Sequence, residues 1–225
     1  ANASGLIERT ITSRGMGDVS GGLSYRPLKE TASRPDVVVN IRGKAPTGRE
    51  PFGIELTEVE GSEGNLKIPS RLSTGSGVCG GAAGMSVLKT IDPMVVFGSF
   101  TYFHNFEHHF GDIDEAIGDQ PGRARLGDAF QYGLGIAFAL NDRTSLSTSF
   151  TQRFVRHARL RLDPADPAGI AHWQTVVGSE ANVGALNLGA TFSLSDRLTI
   201  VSNLSVGMTQ DAPDMVFTIH APYRF

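Results

Sequence analysis

Large apolar residues recur at every second position through long stretches of the chain, the pattern of strands that present one apolar face. In 128–140 the even positions are Phe130, Tyr132, Leu134, Ile136, Phe138 and Leu140, while the odd positions Gln131, Gly133, Gly135, Ala137 and Ala139 are small or polar. The segment 144–154 sets Leu146, Phe150 and Phe154 against serines, Thr151 and Arg153. The segment 182–194 sets Leu186, Leu188, Phe192 and Leu194 against Asn187, Thr191 and Ser193. In 198–208, Leu198, Ile200, Leu204, Val206 and Met208 oppose Thr199, Asn203 and Ser205. The last segment, 213–225, puts Met215, Phe217, Ile219, Tyr223 and Phe225 on one side, with Thr218, His220 and Arg224 on the other.

Two earlier segments alternate more weakly. Val19, Leu23 and Tyr25 oppose Ser20, Ser24 and Arg26; Val37, Val39 and Ile41 oppose Asn40, Arg42 and Lys44. Segments 75–89 and 93–106 have the length and composition of strands, but their faces are not legible. Nine strands of roughly 10 to 15 residues are therefore expected, long against a mode of about 5 to 6 in globular proteins.

The connections sort by length. "KETASR", "IDP", "NDR" and "SDR" read as tight turns, whereas 45–75, 107–127 and 161–179 are long and charged. Only "TQDAP" is short on the long-loop side. Such sorting is expected of an all-β, antiparallel up-and-down transmembrane β-barrel, with short turns at one rim and long loops at the other. Backbone groups in lipid must pair internally, which leaves closed sheets as the β solution. An edge strand of a β-sandwich is the competing explanation of the final segment. In a barrel, Phe217, Ile219, Tyr223 and Phe225 would lie in lipid, with Tyr223 and Phe225 in the aromatic girdle at the short-turn rim.

Nine strands pose a parity problem, because single-chain bacterial barrels are usually even. Residues 5–13, with Ile7 and Ile11 on one face, are a poor candidate for a tenth. The expectation is one barrel over 1–225, the C-terminal part of a longer chain of about 10–12 strands when complete. The start "ANASGLIERT" has no basic, apolar leader and reads as trimmed or processed.

Composition narrows the classes. The formal net charge is −3 and charged residues are 19%, so no basic excess points to nucleic acid. Glycine contributes 27 of 225 residues, in keeping with a chain rich in strands and turns, and no apolar run approaches the ~18 residues of a membrane helix. A single cysteine, Cys79, permits neither an intrachain disulfide nor a cysteine-based metal site; it is expected to pack as a small side chain on a strand.

The stretches "RGMGDVSGGLSYRPLKE", "RPDVVVNIRGKAPTGREPF", "TIDPMVVFGSFTYFHNF", "YGLGIAFALNDRTSLSTSFTQRF" and "LSVGMTQDAPDMVFTIHAPYRF" carry a resemblance. Together they look like the outer-membrane transporter family of the phenol-degradation meta-pathway type. The barrels that export functional amyloid subunits are similar in plan. The motifs are a "GxGD" start and an "APTGRxPF" loop entrance, and the resemblance covers most of 14–225. It implies location and architecture, not cargo. The closing strand also resembles the signal by which outer-membrane barrels are recognised for insertion. The partners implied are outer-membrane lipid and lipopolysaccharide, the barrel-assembly machinery and, optionally, further copies of the chain.

With the apolar face outward, the inward face would carry Arg26, Arg42, Lys44, Arg153, His157, Arg159, His220 and Arg224, opposed chiefly by Asp18. A basic lumen of this kind favours anionic solutes; a salt-bridge network filling a narrow lumen is the alternative. Arg156 has the other parity and is expected above the membrane. His104, His108 and His109 beside Glu107 could supply imidazole ligands, but neighbours on a strand point apart, and a polar loop root explains them better. "GDIDEAIGD" lacks the spacing of a calcium loop. Trp173 is expected near the outer interface. No nucleophile motif fixes a serine beside a histidine, so no enzyme, cofactor or metal centre is expected. The expected function is a pore or transport channel for small anionic solutes or an exported polypeptide. The alternative is a non-conducting barrel serving as anchor or assembly partner.

Overall fold

The computed structural model describes residues 12–58, 67–113, 120–163 and 172–224. These residues form fifteen strands and, among them, no helix that could cross a membrane. Nine strands make one antiparallel sheet: β1 (Val19–Leu28), β2 (Asp36–Ala45), β5 (Gly80–Ile91), β6 (Met94–Asn105), β9 (Ala129–Asn141), β10 (Thr144–Val155), β13 (Ala181–Ser193), β14 (Thr199–Gly207) and β15 (Met215–His220). They neighbour one another in chain order, so each of the nine expected strands is present and the sheet is an uninterrupted meander.

The short connections are as the sequence suggested. Asp92 and Pro93 join β5 to β6, and Asp142 and Arg143 join β9 to β10. At the same end Lys89 Nζ donates to the carbonyls of Thr31 (2.5 Å) and Ala32 (3.0 Å), and Glu30 accepts from the Thr90 backbone N–H at 2.5 Å. The Lys89 bonds satisfy carbonyls of the β1–β2 turn, and the Glu30 carboxylate satisfies the Thr90 N–H of β5.

The expected closure is not present. The sheet ends on β1 at one edge and β15 at the other, and these two do not pair. The reason is directional. In a meander of nine strands the first and ninth run the same way, so they cannot complete an antiparallel ladder. The tenth-strand candidate falls partly on residues 1–11, outside the described residues; 12–18 are not strand. The final strand is also shorter than expected. It ends at His220 because Pro222 has no N–H for the ladder, although Tyr223 still bridges Leu198 and Arg224 N–H donates to Arg197 O at 2.8 Å. Phe225 lies outside the described residues.

Register sorts the side chains. One row pairs Leu23 with Ile41 and Ile41 with Ala83; another runs Leu134, Phe150, Leu186, Val206, Met215. Paired residues share a face, so the apolar positions of neighbouring strands line up across the sheet. Leu23, Ile41, Phe100, Leu134, Phe192 and Phe217 of this face are all exposed. On it, Tyr102, Phe130 and Phe154 lie toward the long loops, with Phe138, Phe192 and Tyr223 toward the short turns. From Phe130 to Phe138 the strand advances ~27 Å at about 3.4 Å per residue.

A separate core lies beyond the sheet. β7 (His108–Phe110), β8 (Gly122–Arg125), β11 (Arg159–Leu162) and β12 (Gln174–Thr175) form a four-stranded sheet from two long loops, and β3 (Leu56–Glu58) with β4 (Lys67–Pro69) forms a hairpin in the third. Val78, Phe110 and Ala124 are buried here, flanked by Phe52, Ile113, Leu126 and Leu160. Among the described residues the packed hydrophobic cluster is thus in the loops, while large apolar residues of the main sheet are exposed.

Candidate functional site

The polar face of the main sheet gathers three of the expected basic residues. Gly22, Arg42, Ala82, Phe103 and Ala129 are successive register partners across β1, β2, β5, β6 and β9. The adjacent row toward the short turns runs Ser24, Asn40, Gly84, Thr101, Gln131, Arg153. Arg42, Lys44 and Arg153 line a single cavity of about 240 Å3 with Ser20, Phe103 and Asn105. The Arg153 guanidinium carbon stands 4.8 Å from the centre of the Phe103 ring. Residues from five strands line this one cavity, so the polar face is concave there.

Lys44 is not free. Its Nζ donates to Ser76 Oγ at 2.5 Å and lies 3.5 Å from Asp18 Oδ2. Asp18 Oδ2 also accepts from Ser76 N (2.9 Å) and Ser76 Oγ (2.7 Å), and its Oδ1 from Gly48 N (3.2 Å). Thr47 Oγ1 donates to Gly17 O at 3.0 Å, and Thr74 Oγ1 to Met16 O at 2.8 Å. The "GMGD" and "APTGR" motifs thus meet each other and "TGS" (74–76) in one clasp. Gly75 is required for the approach, since a Cβ there would stand 2.3 Å from Asp18 Oδ1. Desolvation works to raise the Asp18 carboxyl, but the Ser76 and Gly48 hydrogen bonds and the Lys44 charge outweigh it and hold the pKa at about 2.

This lowered value has a consequence for acid stability. The contribution of the clasp is complete above the ordinary value of 3.8 and is lost as pH falls through about 2. Amide exchange at Gly48 and Ser76 is expected to accelerate across that window. In Asp18→Asn it should already be fast near neutrality, with no further change in acid. An acid response equal in both proteins would remove Asp18 as the group responsible.

The remaining basic residues disperse. Arg26 is ion-paired with Asp36, its Nε 2.7 Å from Oδ1, at the short-turn end of β1. His220 and Arg224 lie at that same end but on the opposite edge of the sheet, with Arg224 lining a cavity beside Arg143 and Arg197. His157 and Arg159, expected on the inward face, are beyond it: β10 ends at Val155, His157 follows in a loop, and Arg159 opens β11 of the small sheet. They line a cavity of about 480 Å3 with Arg125, Asp128 and Arg156. His157 Nδ1 is 2.7 Å from Glu180. The expected single basic lining is therefore four separate groups.

At the long-loop end of β6 and beyond it, His104 Nδ1 is 2.9 Å from Asp128, Glu107 pairs with Arg123 at 2.9 Å, and His108 packs edge-on against Phe110. The three histidines do not converge, and among the described residues no three metal-ligating side chains cluster. Asp128 was not singled out by sequence, yet it accepts from Tyr102 Oη at 2.9 Å and Asn105 N at 3.2 Å. Burial works to raise its pKa, but those donors with His104 and Arg125 hold it below the usual carboxylate range. Of "GDIDEAIGD", residues 114–119 lie outside the described residues. Cys79 is exposed just before β5 rather than packed on a strand. Trp173 takes the Arg161 guanidinium over its ring at 5.2 Å. No protein-family model matches the chain.

Proposed function

We propose that this chain is an outer-membrane transport barrel of the phenol-degradation meta-pathway type, with a polar wall that passes small anionic solutes. The observation that carries the membrane reading is the continuous exposed apolar face, rimmed by aromatics at both ends. The ~27 Å between Phe130 and Phe138, tilted by about 40°, is roughly 20 Å of height, near the ~25 Å apolar band of such barrels. The strands of 12 or 13 residues in the middle of the sheet exceed the 9–11 that a tilted transmembrane strand needs. Closure then takes an odd number of further strands, the first and last of them running from the short-turn end to the long-loop end.

The anion preference rests on Arg42 and Arg153, which bring two positive charges to one cavity. Reconstituted in planar bilayers under a salt gradient, the full-length protein is expected to give steady current steps with an anion-selective reversal potential. Arg42→Glu and Arg153→Glu should each move that potential toward cation selectivity. A folded protein that stays silent would overturn the conduit reading. It would favour the non-conducting anchor, for which the independently packed loop sheet around Phe110 is the supporting observation.

A further inference from the structure

We propose that the cavity between Arg42 and Arg153 is a binding site for a compact dianion bearing carboxylate or phosphate oxygens. The inference rests on the conduit reading and adds to it a stopping point for the solute.

The electrostatic argument starts from what the neighbours leave uncompensated. Of the three cations at this cavity, Lys44 is held by Asp18 and Ser76. Arg42 and Arg153 have no ion-pair partner among the described residues, and the two acids bonded to residues of this lining are committed elsewhere, Asp18 to Gly48, Ser76 and Lys44 and Asp128 to His104, Tyr102 and Asn105. Two guanidinium charges thus share one concavity without a counter-charge among the described residues. A dianion supplies it with one molecule.

Geometry makes the two arginines more than a diffuse field. Arg153 lies over the Phe103 ring at 4.8 Å, a cation–π contact that holds its guanidinium at this wall. Arg42 is flanked in register by Gly22, which has no side chain, and Ala82, which has a single methyl, and all three line a shared cavity. Planar forks of this type recognise carboxylate and phosphate by paired hydrogen bonds, which chloride cannot accept in the same way. The cavity holds about 240 Å3. It opens to solvent and has room for a dianion of a few carbons.

The test is block of the chloride current in planar bilayers by succinate, inorganic phosphate, acetate or glycerol added to one side. Succinate or phosphate is expected to reduce the current saturably, with half-block at a concentration at least tenfold below that of acetate, and glycerol should be inert. Block by succinate alone assigns a dicarboxylate; block by phosphate alone assigns a phosphate group. Arg42→Gln and Arg153→Gln should each raise the half-block concentration at least tenfold, whereas Arg143→Gln, at the far end, should change it less than twofold. An anion-selective pore blocked no better by dianions than by acetate would overturn this site while leaving the conduit intact. If no folded sample conducts, the conduit fails instead, and calorimetric titration of the protein in detergent with succinate and phosphate decides the site. Heat of binding lost in both arginine variants supports it, and no binding to the parent protein overturns it.

Discussion

Leu134→Arg is expected to cost about 2–4 kcal/mol of folding free energy in lipid vesicles, while Gln131→Arg, three residues away on the same strand, is tolerated. Leu134 is 64% exposed, midway between Phe130 and Phe138 on the apolar face of β9. If that face meets lipid, the substitution places a guanidinium at mid-depth, too far from either rim to reach water easily. Gln131 points to the other face, between Thr101 and Arg153, where polar side chains already stand. Urea titration of refolding into phosphatidylcholine vesicles reads the difference. Leu134→Ala serves as the size control and should lose far less. In water an exposed leucine is replaced by arginine at little cost, since surface changes are usually within about 0.5 kcal/mol. Equal, small effects of the arginine substitutions on both faces would therefore count directly against the membrane reading.

The same alternation that motivates this experiment made much of the fold legible. β9, β10, β13 and β14 each carry large residues on one parity and small or polar ones on the other, so their faces follow from sequence. β5 and β6 resist such reading for opposite reasons. β5 begins Gly80, Gly81, Ala82, Ala83, Gly84, small on both parities, while β6 places Phe97 and Phe103 on its polar face. The structure explains the anomaly through the neighbours. A Cβ on Gly135 would stand 2.4 Å from the Phe97 ring, so that ring occupies the space a glycine leaves, and Phe103 carries Arg153. Neither partner is near in sequence, and neither shows in a period of two.

The basic residues show where parity misleads. Counting twos through Arg153 assigns His157 and Arg159 to the same face, but the strand stops at Val155 and the rule stops with it. Lys44 keeps its predicted face and yet is neutralised by Asp18 and Ser76, partners 26 and 32 positions away. The clasp itself left a trace, since "GMGD" and "APTGR" stood out as motifs. That they bind each other through Thr47, Gly48 and Asp18 needed coordinates. The loop sheet left almost none, because β7, β8, β11 and β12 are two to four residues each, too short for periodicity to declare them.

That loop sheet carries the second large effect. Phe110→Ala is expected to cost about 3–5 kcal/mol locally, the range for emptying a buried aromatic site. Phe110 is 2% exposed and forms the small core with Val78 and Ala124, while its ring stands 4.7 Å from that of Phe52. The site has little freedom to collapse around the void. Gly77 is held at φ +70°, and a Cβ there would stand 2.7 Å from the Phe110 ring, so the backbone already fits against it. Because this core is separate from the ladders of β9, β10 and β13, the loss should stay local. At about 1.4 kcal/mol per decade, amides of β7, β8 and β11 should exchange on the order of a hundredfold faster or more. Those in the middle of β9 and β10, bonded to strands on both sides, should keep their rates. Hydrogen exchange followed by mass spectrometry separates the two regions in one sample. Uniform acceleration across both would mean that the loop sheet and the main sheet unfold as one unit, and that the loops brace the strands rather than merely crown them.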